Sequence, residues 1–181
     1  AMFTTSAYGT SPSQIIIPNT PDAIGTFSNG LHVVKYRNIR SDGGVVSDPT
    51  LDFADIDFPV FRLSEMYLIY AEAVLRGGTG GDATTALGYI NAIRTRAGAA
   101  TIGSASLNLQ FILDERGREL YWEGFRRIDL IRYNRYFEGT YLWPWKGGLR
   151  NGTAFDATRK ILPLPSKQLA ANPNLKQNPG Y

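Results

Sequence analysis

Two apolar stripes at helical spacing, with glycines between them, constrain this chain most. Within 61–76, Leu63, Tyr67, Tyr70, Ala71 and Val74 recur at helical intervals. Leu68, Ile69 and Ala73 widen the stripe, so this helix is expected to be buried on most sides. Gly77-Gly78 supplies its stop. Within 83–97, Ala83, Ala86, Leu87, Ile90, Ile93 and Ala97 repeat the pattern behind Asp82, a natural N-cap, and Gly98 closes it. Two amphipathic helices joined by so short a turn have to pack side by side and antiparallel.

A third helix is expected over about 107–123, with Ser106 as cap, and a fourth over about 125–137, ended by Gly139. Leu109, Ile112, Leu113, Leu120 and Tyr121 form one apolar face, and Phe125, Ile128, Leu130, Ile131 and Phe137 the other. The predicted fold is mainly α: tetratricopeptide-like antiparallel helix hairpins, long irregular loops and a few short strands. No repeat of about 34 residues is visible, so the likeness is one of architecture.

The N-terminal part reads differently. Residues 1–58 carry turn formers between short apolar runs at Ile15–Ile17, Leu31–Tyr36 and Val45–Val46, with Leu31–Tyr36 suited to a strand. That stretch has a charge of −3 against +6 for the remainder. The expected organisation is an irregular, short-strand segment over 1–58 and a helical domain over 59–181. The opening Ala1-Met2 reads as a scar at an interior start. Residues 140–160 return to loop, Lys160–Pro165 is extended, and Ser166–Ala171 suits one turn of helix.

Composition excludes much chemistry. There is no Cys and a single His, which removes thiol nucleophiles, disulfides, thiolate zinc sites and any multi-His metal site within the chain. His32 lies in a strand-like run without catalytic partners. The net charge of +3 does not make a nucleic-acid stripe, because six Arg between Asp114 and Glu138 share that window with six acids. No stretch approaches the roughly 20 apolar residues of a membrane span.

Three clusters invite a functional reading. Glu115, Glu119 and Glu123 lie on one helical stripe at i+4, where like charges repel unless cations arrive from elsewhere. A carboxylate pair for glycoside hydrolysis is one reading. A structural Arg–carboxylate network, joined by Arg126, Asp129 and Arg132 on the next helix, is the favoured one, given the many Arg nearby. Asp52, Asp55 and Asp57 match no calcium loop and read as a solvated turn, so no metal is expected. Tyr141, Trp143, Trp145, Lys146 and Asn151 form an aromatic loop in which flat rings stack on sugar faces and polar groups bond hydroxyls. At least one of its two Trp is expected to be buried.

Five segments in order resemble one family. They are Phe61–Ala73 (FRLSEMYLIYAEA), Ile90–Gly98 (INAIRTRAG), Ile112–Leu120 (ILDERGREL), Glu123–Arg132 (EGFRRIDLIR), and Ile161–Pro165 with Gln177–Tyr181 (ILPLP and QNPGY). Together they are similar to the SusD/RagB-like outer-membrane lipoproteins, and the likeness runs over about 58–181. Gly117 departs from it, standing where the family favours a long side chain, and is expected to loosen its helical turn. The resemblance implies a non-catalytic, surface-exposed nutrient-binding protein of the Bacteroidetes outer membrane. It implies an oligosaccharide or peptide ligand, with glycan foremost, and a SusC-like TonB-dependent transporter as partner. It implies no cofactor, no nucleic acid, and membrane attachment only through a lipid anchor absent from this chain. Members are longer, so the chain corresponds to a C-terminal portion. The alternative function is a helical scaffold that docks the transporter without touching ligand.

Overall fold

The structure is a computed structural model that describes residues 3–4, 32–33, 35–36, 42, 44, 47–48, 50, 53 and 55–181. The chain divides into two units, Ala1–Val60 and Phe61–Tyr181. In the first, β1 (Phe3–Thr4) pairs antiparallel with β2 (His32–Val33), in the register Phe3 to Val33 and Thr4 to His32. The strand expected over Leu31–Tyr36 is shorter than its apolar run. Tyr36 already sits in a turn at φ 63, a left-handed value that ends extended backbone. Ile15–Ile17, Val45–Val46 and Asp52 lie outside the described residues. Asp55 accepts hydrogen bonds from the Ser47 amide and hydroxyl, and Asp48 accepts from the amides of Thr50 and Phe53. These acids are turn builders. Among the described residues no group of three His, Cys, Asp or Glu could hold a metal ion.

In the second unit, α1 (Leu63–Leu75) and α2 (Ala83–Arg96) pack side by side. Pairing of Tyr67 with Tyr89 and of Tyr70 with the Asp82 amide makes them antiparallel. Tyr67 and Tyr89 stack with ring centroids 4.1 Å apart, and Tyr70 meets Tyr89 edge-on at 5.1 Å. Gly77 takes φ +86, and the Gly78 amide reaches back to the Ala73 carbonyl at 2.8 Å, which closes α1. Asp82 caps α2 through the Thr85 amide at 2.8 Å.

The buried face of α1 differs from the expected stripe. Ser64, Glu65, Leu68, Ala71 and Glu72 are the buried residues, while Leu63 is 66% exposed and Met66 and Ile69 are also open. The reason is electrostatic. Glu72 on this face meets Arg132, 60 residues along the chain, as well as Arg76 at the end of α1 itself, and that pairing turns the face inward together with its apolar residues. The core gathers Leu68, Ala71, Ala86, Ile90, Ile93, Leu107, Ile112 and Leu120.

α3 (Leu109–Glu119) starts after Asn108, which accepts from the Phe111 amide at 2.9 Å, rather than after Ser106, which lies in a 3-10 turn. α4 (Arg126–Arg132) ends earlier than expected. Asn134 adopts φ 55, and the Arg135 amide bonds the Leu130 carbonyl at 2.7 Å, a left-handed stop that Asn tolerates. Tyr133 to Phe137 therefore leave the helix and enter the aromatic loop. α5 spans Ser166–Ala171. The final segment folds back on the extended run: Gln177 bonds both the amide and the carbonyl of Leu164, and Asn178 donates to the Leu162 carbonyl. No helix among the described residues is long and apolar enough to cross a membrane.

Candidate functional site

The site rests on an ionic frame built at the junction of α1, α2, α3 and α4. Glu115 and Glu119 lie on α3, which ends at Glu119 and not at 123 as expected, and Glu123 follows in a turn after Trp122 at φ 69; all three carboxylates meet arginines. Glu115 pairs with Arg94 at 2.9 Å and with Arg118. Glu119 takes Arg62 at 3.0 Å and Arg96 at 2.5 Å. Glu123 takes Arg62 at 2.7 Å, so one guanidinium closes the C-terminal end of the acidic stripe. Asp129 is held by Arg116 and Arg132, both at 2.8 Å, and the Arg116–Asp129 pair is fully buried. Arg132 also grips both oxygens of Glu72. Burial alone would raise the Glu72 carboxyl, but the bonds from Arg132 and Arg76 outweigh it and hold the group below its ordinary value. Burial pushes the Tyr133 hydroxyl up, with the Glu72 charge adding to it.

Arg126 does not join this frame. It donates to the Leu113 carbonyl and the Tyr141 hydroxyl, both at 2.7 Å. Its reach across α3 is possible because Gly117 has no side chain: a Cβ there would stand 2.9 Å from Arg126 Nη1. Gly117 does not break α3, which continues to Glu119.

The loop that follows α4 is organised around Lys146. This lysine is buried, and its ammonium donates to the carbonyls of Glu138 and Tyr141 at 3.1 and 3.0 Å. It lies 4.6 Å from the Trp143 ring centroid and 5.5 Å from that of Phe155. Burial pushes its ammonium pKa down, with Glu138 opposing. Lys146 thus holds the loop from within. Trp145 sits at φ 69 with its ring partly exposed, and Asn151 is exposed. Gly152 at φ +76 passes so close to the Trp143 carbonyl that a Cβ would lie 2.6 Å from it.

A cavity of about 510 Å³ is lined by Arg126, Arg127, Leu130, Tyr136, Tyr141, Leu142 and Trp143. Tyr141 and Trp143 meet edge-on at 6.3 Å, and Tyr136 lies 6.1 Å from Trp143. Arg127 sits 5.3 Å from the Tyr136 ring centroid. A second cavity of about 540 Å³ shares Arg126 and Arg127 and is bordered by Tyr121 and Trp122. Of the five loop residues singled out from the sequence, the structure brings Tyr141 and Trp143 to one cavity and leaves Lys146, Trp145 and Asn151 outside its lining. Tyr136 was missed because the helical pattern was carried through it; the Asn134 stop was the available signal. Glu115, Glu119 and Glu123 border neither cavity.

Residues 6–181 match the SusD family. The chain belongs to that family. Within it, starch-binding protein SusD of Bacteroides thetaiotaomicron is 45% identical over 160 residues, covering 88% of this chain and 28% of that protein. SusD-like protein P38 of Formosa agariphila is 32% identical over 170 residues, covering 88% of this chain and 30% of its own length. Among solved structures, surface glycan-binding protein A from Bacteroides thetaiotaomicron superposes with a TM-score of 0.58 at 33% identity, over 70% of this chain and 25% of that one. The same protein in complex with laminarihexaose gives a TM-score of 0.57 at 34% identity, over 69% and 25%. The mainly helical fold is thus that of the SusD family. The chain spans less than a third of the length of the curated relatives it matches.

Proposed function

We propose that this SusD-family chain belongs to a non-catalytic protein that captures oligosaccharide, and that its own contribution is the cavity beside α4. The observation that carries the proposal is the convergence of Tyr136, Tyr141 and Trp143 on one cavity with guanidinium groups at its wall. Sugar rings present apolar C–H faces that stack on aromatic rings, while arginine and tyrosine bond hydroxyls. The starch-binding and laminarihexaose-bound relatives support a glycan as ligand. Catalysis finds no support in the acidic stripe, since Glu115, Glu119 and Glu123 are each engaged by arginine. In keeping with the family likeness, we place the whole protein on the outer-membrane surface, held by a lipid anchor and serving a SusC-like TonB-dependent transporter.

Calorimetric titration of the full chain with a panel of neutral and acidic oligosaccharides tests this. At least one should bind, and Trp143→Ala should weaken it by about tenfold. A chain that binds peptides and no saccharide would overturn the glycan proposal. A second reading, a scaffold that docks the transporter, draws on the open apolar residues Leu63, Met66 and Ile69 of α1. Copurification of an outer-membrane barrel that is lost in Leu63→Asp, with sugar binding intact, would favour it.

A further inference from the structure

We propose that the cavity beside α4 selects a saccharide bearing an oxyanion, a uronate carboxylate or a sulfate ester, seated on Arg126 and Arg127. This rests on the glycan function proposed above and adds the charge class of the ligand. Of the nine arginines from Arg62 to Arg132, seven are bridged to carboxylates. The two exceptions among the described residues are Arg126 and Arg127, adjacent in sequence and shared by both cavities.

Both are half-buried, yet no acidic residue lines the cavity that carries the three rings. A partly desolvated guanidinium without a counter-charge attracts an anion strongly, because the surrounding rings keep the local dielectric low. A seat for neutral hydroxyls needs no such surplus charge. The donors left over suit an oxyanion. Tyr141 has accepted from Arg126 and keeps its own O–H to donate. Arg127 makes only a long bond of 3.4 Å, to the Arg159 carbonyl, and lies over Tyr136, leaving its remaining N–H groups for ligand. An acidic sugar would therefore stack on Tyr136 or Trp143 while its anion bridges Tyr141 and Arg127.

The test is titration of the full chain with an oligogalacturonate, a sulfated carrageenan oligosaccharide and a maltooligosaccharide, at low and high salt. One acidic probe should bind at least about tenfold more tightly than the neutral one at low salt, and the gap should narrow as salt screens the contact. Which acidic probe binds identifies carboxylate or sulfate. Arg127→Gln should cost the acidic probe about tenfold and spare the neutral one. Arg126→Gln should act likewise, but Arg126 also braces the Leu113 carbonyl, so thermal melts accompany it and Arg127→Gln carries the decision. Equal or tighter binding of the neutral probe overturns the charge selectivity and leaves the glycan function standing. Acidic binding untouched by Arg127→Gln also overturns it, as does equal affinity for polyglutamate. Failure of every saccharide removes both proposals.

Discussion

Gly117 lies directly beneath the guanidinium of Arg126, and a Cβ at that position would stand 2.9 Å from Nη1 and 3.2 Å from Cζ. This helical position without a side chain is thus the path by which Arg126 reaches Leu113 and Tyr141. Gly117→Ala should raise helix propensity by about 1 kcal/mol while displacing the flexible end of Arg126. Net stability should stay within about 1 kcal/mol of the parent in urea unfolding, yet saccharide affinity should fall. A destabilisation of several kcal/mol with unchanged affinity would show that Arg126 is a structural brace alone.

The Arg116–Asp129 pair, 2.8 Å apart with both side chains almost wholly enclosed, is a different kind of contact. Removing one partner leaves a buried charge. Asp129→Ala should therefore cost about 3–5 kcal/mol, read as a lower denaturant midpoint. Replacing both, as in Arg116→Met with Asp129→Leu, should recover much of that loss, although Arg132 also bonds Asp129.

Glu72 ties stability to acid. Its carboxyl is held below the ordinary value of 4.5, because the arginine bonds outweigh the upward push of burial. Folding therefore favours the ionised form. The contribution is complete above the unfolded pKa and is lost as pH falls through the lower folded value. Glu72→Gln should unfold more readily than the parent at neutral pH. The two urea curves should begin to draw together as pH falls below the ordinary value of 4.5 and meet once it has passed the lower folded value.

Lys146 should behave as a fastener of the loop. Lys146→Met keeps much of the stem but leaves the Glu138 and Tyr141 carbonyls without their donor. A loss of roughly 1–3 kcal/mol is expected. Tryptophan fluorescence should shift to the red as Trp143 gains water, with saccharide affinity falling in parallel.

The helical fold was legible because helix periodicity and capping act locally. Asp82 capped α2 and Gly77-Gly78 closed α1 through bonds within a few residues. Rotation of α1 was not legible in that way. It is fixed by Glu72 meeting Arg132, 60 residues away, and by Arg62 meeting Glu119 and Glu123. The end of α4 was missed because the apolar pattern continued past Asn134, where a left-handed residue ends the helix. The site was half legible. Aromatic density marked the loop, but a lysine just after two tryptophans gave no sign that it would turn inward to bond backbone carbonyls. Nor did Arg126 reveal that Gly117 would divert it from the ion pairs on either side.

The most direct measurement is a two-dimensional NMR titration of the three tryptophan indoles with a bound oligosaccharide. The Trp143 indole should shift progressively with ligand while the Trp145 signal holds, and Trp143→Ala should weaken saccharide binding by about tenfold. Saturable saccharide binding that leaves the Trp143 indole unmoved would contradict a glycan site beside α4.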